Sequence, residues 1–261
     1  MQAFILESGA VPLLVSLPHD GTHLPDAMLA RLTPAARALP DTDWHLARLY
    51  AVARALDASI LRPLASRYVV DLNRSPVGEA LYPGRLETGL VPLSTFDGAA
   101  VWREGAAPDA AEVAARVDAW WRPYHAALAG EIARLRSRHP RVVLWEGHSI
   151  RSRVPLLFDG RLPDFNLGTA DGASCDPRLR ESLAREIASF VDRSHAVDGR
   201  FKGGWITRHY GRPRDGVHAV QLELAQCTYM DEDAFAWDDA PASVVQREIG
   251  RLLRRCLDFA T

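Results

Sequence analysis

Short apolar runs that end in charged or hydrogen-bonding residues recur along the chain, and this pattern constrains the fold more than any other feature. The run at 11–17 leads into His19, Asp20 and His23. The run at 68–72 leads into Asn73, Arg74, Ser75 and Pro76, and that at 141–145 into Glu146, Gly147, His148 and Ser149. Each run is too short for a helix, rich in β-branched and large apolar residues, and followed by turn-forming residues, so each reads as a buried strand closed by a polar turn. Residues 59–64 and 217–224 read as two more strands.

Helical periodicities lie between the strands. Residues 43–56 carry Leu46, Leu49, Tyr50, Val52, Ala53 and Leu56 on one face, with Asp41 or Asp43 as the cap. Residues 109–138 carry Val113, Val117, Trp120, Trp121, Tyr124, Leu128, Ile132 and Leu135, and Pro123 predicts a kink. Further helices are predicted over 178–191 and 242–259, and 203–210 reads as a turn with a short strand. The Gly- and Pro-rich segment 78–98 has no sustained period and is a candidate lid loop. Strands alternating with helices specify an α/β fold whose mostly parallel sheet is covered on both faces. Ligands then bind beyond the carboxyl ends of the strands.

A chain of 261 residues can bury such a sheet in one domain, so 1–261 is read as a single catalytic domain. The formal net charge of −2 excludes a nucleic-acid binder that works through a basic face and favours a small-molecule partner. All basic residues but Lys202 are Arg, a side chain suited to bidentate carboxylate recognition. Cys175, Cys227 and Cys256 are too widely spaced for a thiolate metal site or a disulfide framework, which fits a reducing compartment. The first twenty residues lack a basic stretch, and no apolar run is long enough for a membrane span, so a cytoplasmic location without membrane contact is expected. Oligomeric state is left open.

The polar strand ends converge on one crevice in such a fold, which makes His19, Arg74, His148 and Arg208 one hypothesis. A catalytic metal takes about three protein ligands and keeps an open position; His19, His148 and Asp43 supply two imidazoles and a carboxylate. Asp41 can exchange roles with Asp43, Asp43 also fits as a helix cap, and His23 and His45 are close enough in sequence to compete as ligands. In the alternating segment Gln221-Leu222-Glu223-Leu224 the period of two places Gln221 and Glu223 on one face. A buried carboxylate there suits a general base or, alternatively, a salt bridge to an Arg. Asn73 and Arg74 can fork onto a substrate carboxylate, and Arg208, with Thr207 beside it, can do so from a second side. Ser149 lacks the second glycine of a nucleophile elbow, and no phosphate-binding glycine fingerprint is present.

Seven ordered segments resemble the N-formylglutamate amidohydrolase family: SLPHDG at 16–21, DTDWHLARLY at 41–50, VVDLNRSP at 69–76, EGHSIRS at 146–152, FNLGTADGASC at 165–175, GGWITRHYG at 203–211 and QLELAQ at 221–226. That family is similar in turn to zinc carboxypeptidases and aspartoacylases, so the resemblance implies a three-layer α/β/α sandwich with a mixed, largely parallel sheet. It implies one divalent metal, zinc, on His19, His148 and an acidic residue of the DTDW segment, with Glu223 as the base and Asn73 and Arg74 on a substrate carboxylate. The implied reaction is hydrolysis of N-formyl-L-glutamate to formate and L-glutamate. The chain departs from the carboxypeptidase pattern at Thr22, where a glutamate ligand would stand three residues after His19, so the third ligand must come from elsewhere.

Overall fold

The computed structural model describes residues 2–78 and 87–261. Seven strands form one mixed sheet in the order β1-β3-β2-β4-β7-β5-β6: β1 (Phe4–Glu7), β2 (Leu13–Ser16), β3 (Ser59–Pro63), β4 (Val142–Ile150), β5 (Phe165–Gly168), β6 (His195–Val197) and β7 (Val217–Ala225). The inner strands β3, β2, β4 and β7 run parallel, while β1 is antiparallel to β3 and β5 is antiparallel to β7. A short hairpin, β8 (Met230–Asp231) with β9 (Ala236–Trp237), lies outside this sheet.

The period of two along the long central strands separates the two cores. In β4, Val143 and Trp145 face one core while Val142 and Leu144 face the other; in β7, Val220, Leu222 and Leu224 oppose Val217 and Ala219 in the same way. Four short helices precede the long ones: α1 (Asp26–Leu29), α2 (Pro34–Arg37), α3 (Leu46–Leu49) and α4 (Val52–Ala55). The predicted helix over 43–56 is therefore two single turns, interrupted between Leu49 and Val52. Its start is displaced because His45 takes a left-handed backbone (φ 64°).

On one face of the sheet, α5 (Ala110–Arg116) and α6 (Arg122–Arg136) bury Tyr124, Leu128, Ile132 and Leu135. They are joined by one π-helical turn, Val117–Trp121, so the irregularity expected at Pro123 falls in the turn before it. On the other face lie α7 (Pro177–Ala188) and α9 (Asp239–Ala260), which contributes Val245, Ile249, Leu252, Leu253 and Cys256 to the core. The aspartates Asp109, Asp176 and Asp238 cap α5, α7 and α9 through their side chains. Helices on both faces of a mixed, largely parallel sheet make the three-layer sandwich. Among the described residues no helix is long and apolar enough to cross a membrane.

Two predicted strands are replaced. Residues 68–72 form turns rather than a strand: Val69 and Val70 are buried by packing, while Ser66 Oγ and Asp71 Oδ1 accept the Tyr68 and Asn73 N–H groups. Segment 203–210 folds instead as α8 (Trp205–Tyr210), because distant side chains satisfy its first N–H groups: Asn73 Oδ1 accepts from Ile206 and Glu146 Oε2 from Thr207. The candidate lid 78–98 lies partly outside the described residues. Its described end returns as 87–98 along the cleft, where Glu87, Thr88 and Phe96 line the wall.

Candidate active site

The polar half of each central strand points into the same space. Beyond the apolar residues of one face of β4 come Glu146 and His148, and beyond those of β7 come Gln221 and Glu223; the register pairs Glu146 with Gln221 and His148 with Glu223. Gly147 separates the two acting side chains of β4 because a Cβ there would stand 2.8 Å from Leu17 and from the ring of Tyr50. His19 arrives from the loop after β2. Asp20 pins that loop by accepting from the Ala47 N–H (3.1 Å) and from Arg62 (3.1 Å), and Asp43 is tied to it through its own N–H on the His19 carbonyl (3.2 Å). The result is a cleft of about 650 Å³, counting the open space at its mouth. His19, Asp43, His148, Gln221 and Glu223 line it together with Arg67, Asn73, Arg74 and Arg200.

His19, Asp43 and His148 form a buried group whose ligand atoms all lie within 4.8 Å of one another. Asp43 Oδ2 is 2.9 Å from His148 Nδ1 and 3.7 Å from His19 Nδ1. The far nitrogen of each ring donates to a buried carboxylate: His19 Nε2 to Asp71 Oδ1 at 2.8 Å, and His148 Nε2 to Glu146 Oε1 at 2.7 Å. A carboxylate on one imidazole nitrogen fixes the tautomer that offers the other to a metal. Burial alone would neutralise Asp43, yet His19 and His148 hold it well below the ordinary carboxylate range. Burial likewise opposes charge on His148, but its bonds to Asp43 and Glu146 raise it well above the ordinary imidazole range. The pocket thus favours a positive charge between these three side chains, and the donor set of two imidazoles and one carboxylate suits a divalent ion such as zinc.

Packing places the alternatives left open by the sequence differently. Both oxygens of Asp41 are occupied by the Phe96 N–H, with Tyr68 Oη also donating to Oδ2 (2.8 Å), and Asp41 does not line the cleft. His45 bonds the Phe235 carbonyl (2.9 Å), and His23 sits over Trp120 with ring centroids 5.9 Å apart. Glu223 is 7% exposed, and no hydrogen bond reaches its carboxyl among the described residues. Burial raises it to about 8, with the neighbouring Asp43 acting in the same direction and His148 against it.

The expected substrate contacts divide. Arg74 lines the cleft, held at its rim by bonds to the Thr88 carbonyl and hydroxyl (2.7 and 3.1 Å). Asn73 also lines it, but its amide is used internally: Oδ1 accepts from Ile206, and Nδ2 donates to Glu146. Thr207 is buried beneath the site with its N–H and hydroxyl both on Glu146, and Arg208 is exposed, with Nε donating to the Gly203 carbonyl (3.0 Å); neither is among the residues lining the cleft. Sequence reasoning missed Asp71, Glu146, Arg67 and Arg200. Glu146 was within reach of it, since a carboxylate two residues before His148 on a strand must share its face. Arg67 was not, because its value comes from contacts across space: 2.7 Å to Asp71, 3.9 Å to Asp43 and 4.9 Å above the ring of Phe96.

Residues 11–230 match the family described as N-formylglutamate amidohydrolase. An N-formylglutamate deformylase of Pseudomonas aeruginosa is 54% identical over 250 residues, covering 95% of this chain and 94% of the relative. One of Pseudomonas putida is 49% identical, covering 95% and 93%. The crystal structure of an N-formylglutamate amidohydrolase from Ralstonia eutropha superposes with a TM-score of 0.82 at 26% identity, over 100% of this chain and 98% of that one. This chain belongs to the N-formylglutamate amidohydrolase family.

Proposed function

We propose that this protein hydrolyses N-formyl-L-glutamate to formate and L-glutamate, as a metal-dependent deformylase of histidine degradation. The observation that carries the reading is the pairing of His148 with Glu223 across adjacent strands. It sets a buried carboxylate, unbonded among the described residues, beside the His19–Asp43–His148 group, in a chain closely similar to two proteins named N-formylglutamate deformylase. His19, Asp43 and His148 would hold the ion. When bound, a divalent ion supplies Lewis-acid polarisation and makes water acidic enough to react near neutrality.

The residues of the chain supply the remainder. Arg74 binds one substrate carboxylate at the rim and orients the formamide toward the floor of the cleft. The Glu223 carboxylate accepts a proton from the water that attacks the formyl carbon; when the C–N bond breaks, the same carboxyl returns that proton to the amine nitrogen. Asp71 and Glu146 keep the two imidazoles in one tautomer and orientation.

The deciding experiment is formate release from N-formyl-L-glutamate by purified protein, before and after chelation and zinc add-back, with His148→Ala in parallel. Turnover should be lost on chelation, return with zinc and be absent in the variant. A protein that binds zinc but leaves the formyl compound intact would disprove the substrate; chelator-insensitive turnover would disprove the metal.

A further inference from the structure

The two walls of the cleft differ in a way that bears on which acyl amino acids it accepts. One wall is the 67–74 segment with Arg67, Asn73 and Arg74. The other carries Ile150, Leu157 and Phe201, part of a small separate apolar cluster with Val154, Leu162 and Ala225, and Arg200 is set among them. Arg200 donates from Nε to the Leu157 carbonyl (2.7 Å) and packs 5.3 Å from the centroid of the Phe201 ring.

The backbone that presents Arg200 is fixed on both sides. Before it, Asp198 accepts from Thr169 N (2.6 Å) and Oγ1 (2.7 Å) and from Arg180 (2.9 Å). After it, the Lys202 carbonyl accepts from Ala170 N (2.6 Å), and Gly204 N donates to Gln221 Oε1 (2.7 Å). A cation set among apolar side chains in the cleft wall, on a pinned loop, matches a ligand with a short methylene chain that terminates in an anion.

Resting on the deformylase reading, we propose that Arg200 is the specificity-determining residue for the side-chain carboxylate of the substrate. The methylenes lie along Leu157 and Phe201, and Arg74 takes the other carboxylate from the facing wall. Arg200 thereby fills the second-anchor role that the sequence suggested for Arg208.

The test compares N-formyl-L-glutamate with N-formyl-L-glutamine, nearly isosteric but uncharged at the side-chain end, in wild type, Arg200→Gln, Arg200→Lys and Arg74→Gln. Arg200→Gln should lower kcat/KM for the glutamate compound by about 10- to 100-fold, mainly through KM, the range for losing a charge-assisted bond. The glutamine compound should change by less than about threefold, which also reports an intact fold, and Arg200→Lys should recover part of the difference. Arg74→Gln should depress both substrates together. Equal losses on both substrates in Arg200→Gln would overturn the proposal. Calorimetric binding of L-glutamate against L-glutamine gives a readout independent of turnover. If wild type turns over neither formyl compound, the deformylase reading fails, while a glutamate preference that Arg200→Gln abolishes still supports the anchor. A preference unchanged by the substitution, or absent from wild type, refutes it.

Discussion

Asp41 and Asp43 stand two residues apart and are both buried, yet their surroundings give them different work. Asp41 is spent on Tyr68 and the Phe96 N–H, and burial raises its pKa; Asp43 faces two imidazoles that lower its own. Asp43→Asn should therefore remove metal binding, measured by metal content after dialysis, whereas Asp41→Asn should retain the metal and lower only thermal stability. Equal metal loss in both would show that the assignment between them is wrong. At Glu223 the prediction is chemical: Glu223→Gln keeps shape and removes the proposed base, so kcat should fall between about 100- and 10,000-fold with metal content unchanged. Retained turnover would assign the proton transfer to another group.

Two elements serve the site without touching a ligand. The π-helical turn and the start of α6 place Trp121 Nε1 on the Arg74 carbonyl (3.0 Å) and His125 Nε2 on the Leu72 carbonyl (2.9 Å), clamping the backbone on either side of Asn73. Because a carbonyl only accepts, His125 carries its proton on Nε2 and takes one from Tyr210 on Nδ1 (3.0 Å), and burial pushes its pKa from 6.5 down to about 3. The unfolded chain binds a proton at His125 below pH 6.5, while the folded chain does so only near pH 3. The stability tied to this residue is thus complete above 6.5 and lost progressively as pH falls toward 3, by on the order of a few kcal/mol. Denaturant titrations of His125→Gln should show a shallower acid limb in that window; an unchanged limb would place the loss in other groups. At the start of α8, a Cβ on Gly204 would stand 2.2 Å from the Asn73 amide. Gly204→Ala should therefore displace the amide that joins α8 to Glu146 and lower kcat/KM about a hundredfold with little loss of folded protein. Wild-type kinetics in that variant would show that the amide's position is unimportant.

At the scale of the whole molecule the site is a meeting point of segments remote in sequence: the loop after β2, the segment before α3, and β4. A metal bound by all three favours the folded chain by mass action, and ion in large excess over its dissociation constant should raise Tm by roughly 10 °C, measured by calorimetry with and without chelator. His19→Ala should abolish the increment; an increment that survives would place the ion elsewhere. The alternation of apolar strands and periodic helices was enough to determine the layered fold, since periodicity is a local property of sequence. His19 and His148 could be read as cleft residues because a parallel sheet gathers its strand ends at one edge, and Glu223 because the period of two along 221–224 puts it on the same face as Gln221; Asn73 and Arg74 reach the cleft from turns, and Asp43 from the segment before α3. Tertiary structure alone set Asp43 rather than Asp41 beside His19 and His148, folded 203–210 as a helix capped by Asn73 and Glu146, and placed Arg200 rather than Arg208 along the cleft. The physical reason is the same in each case: these outcomes depend on hydrogen bonds and burial contributed by residues tens of positions away, and no local pattern encodes partners at that distance.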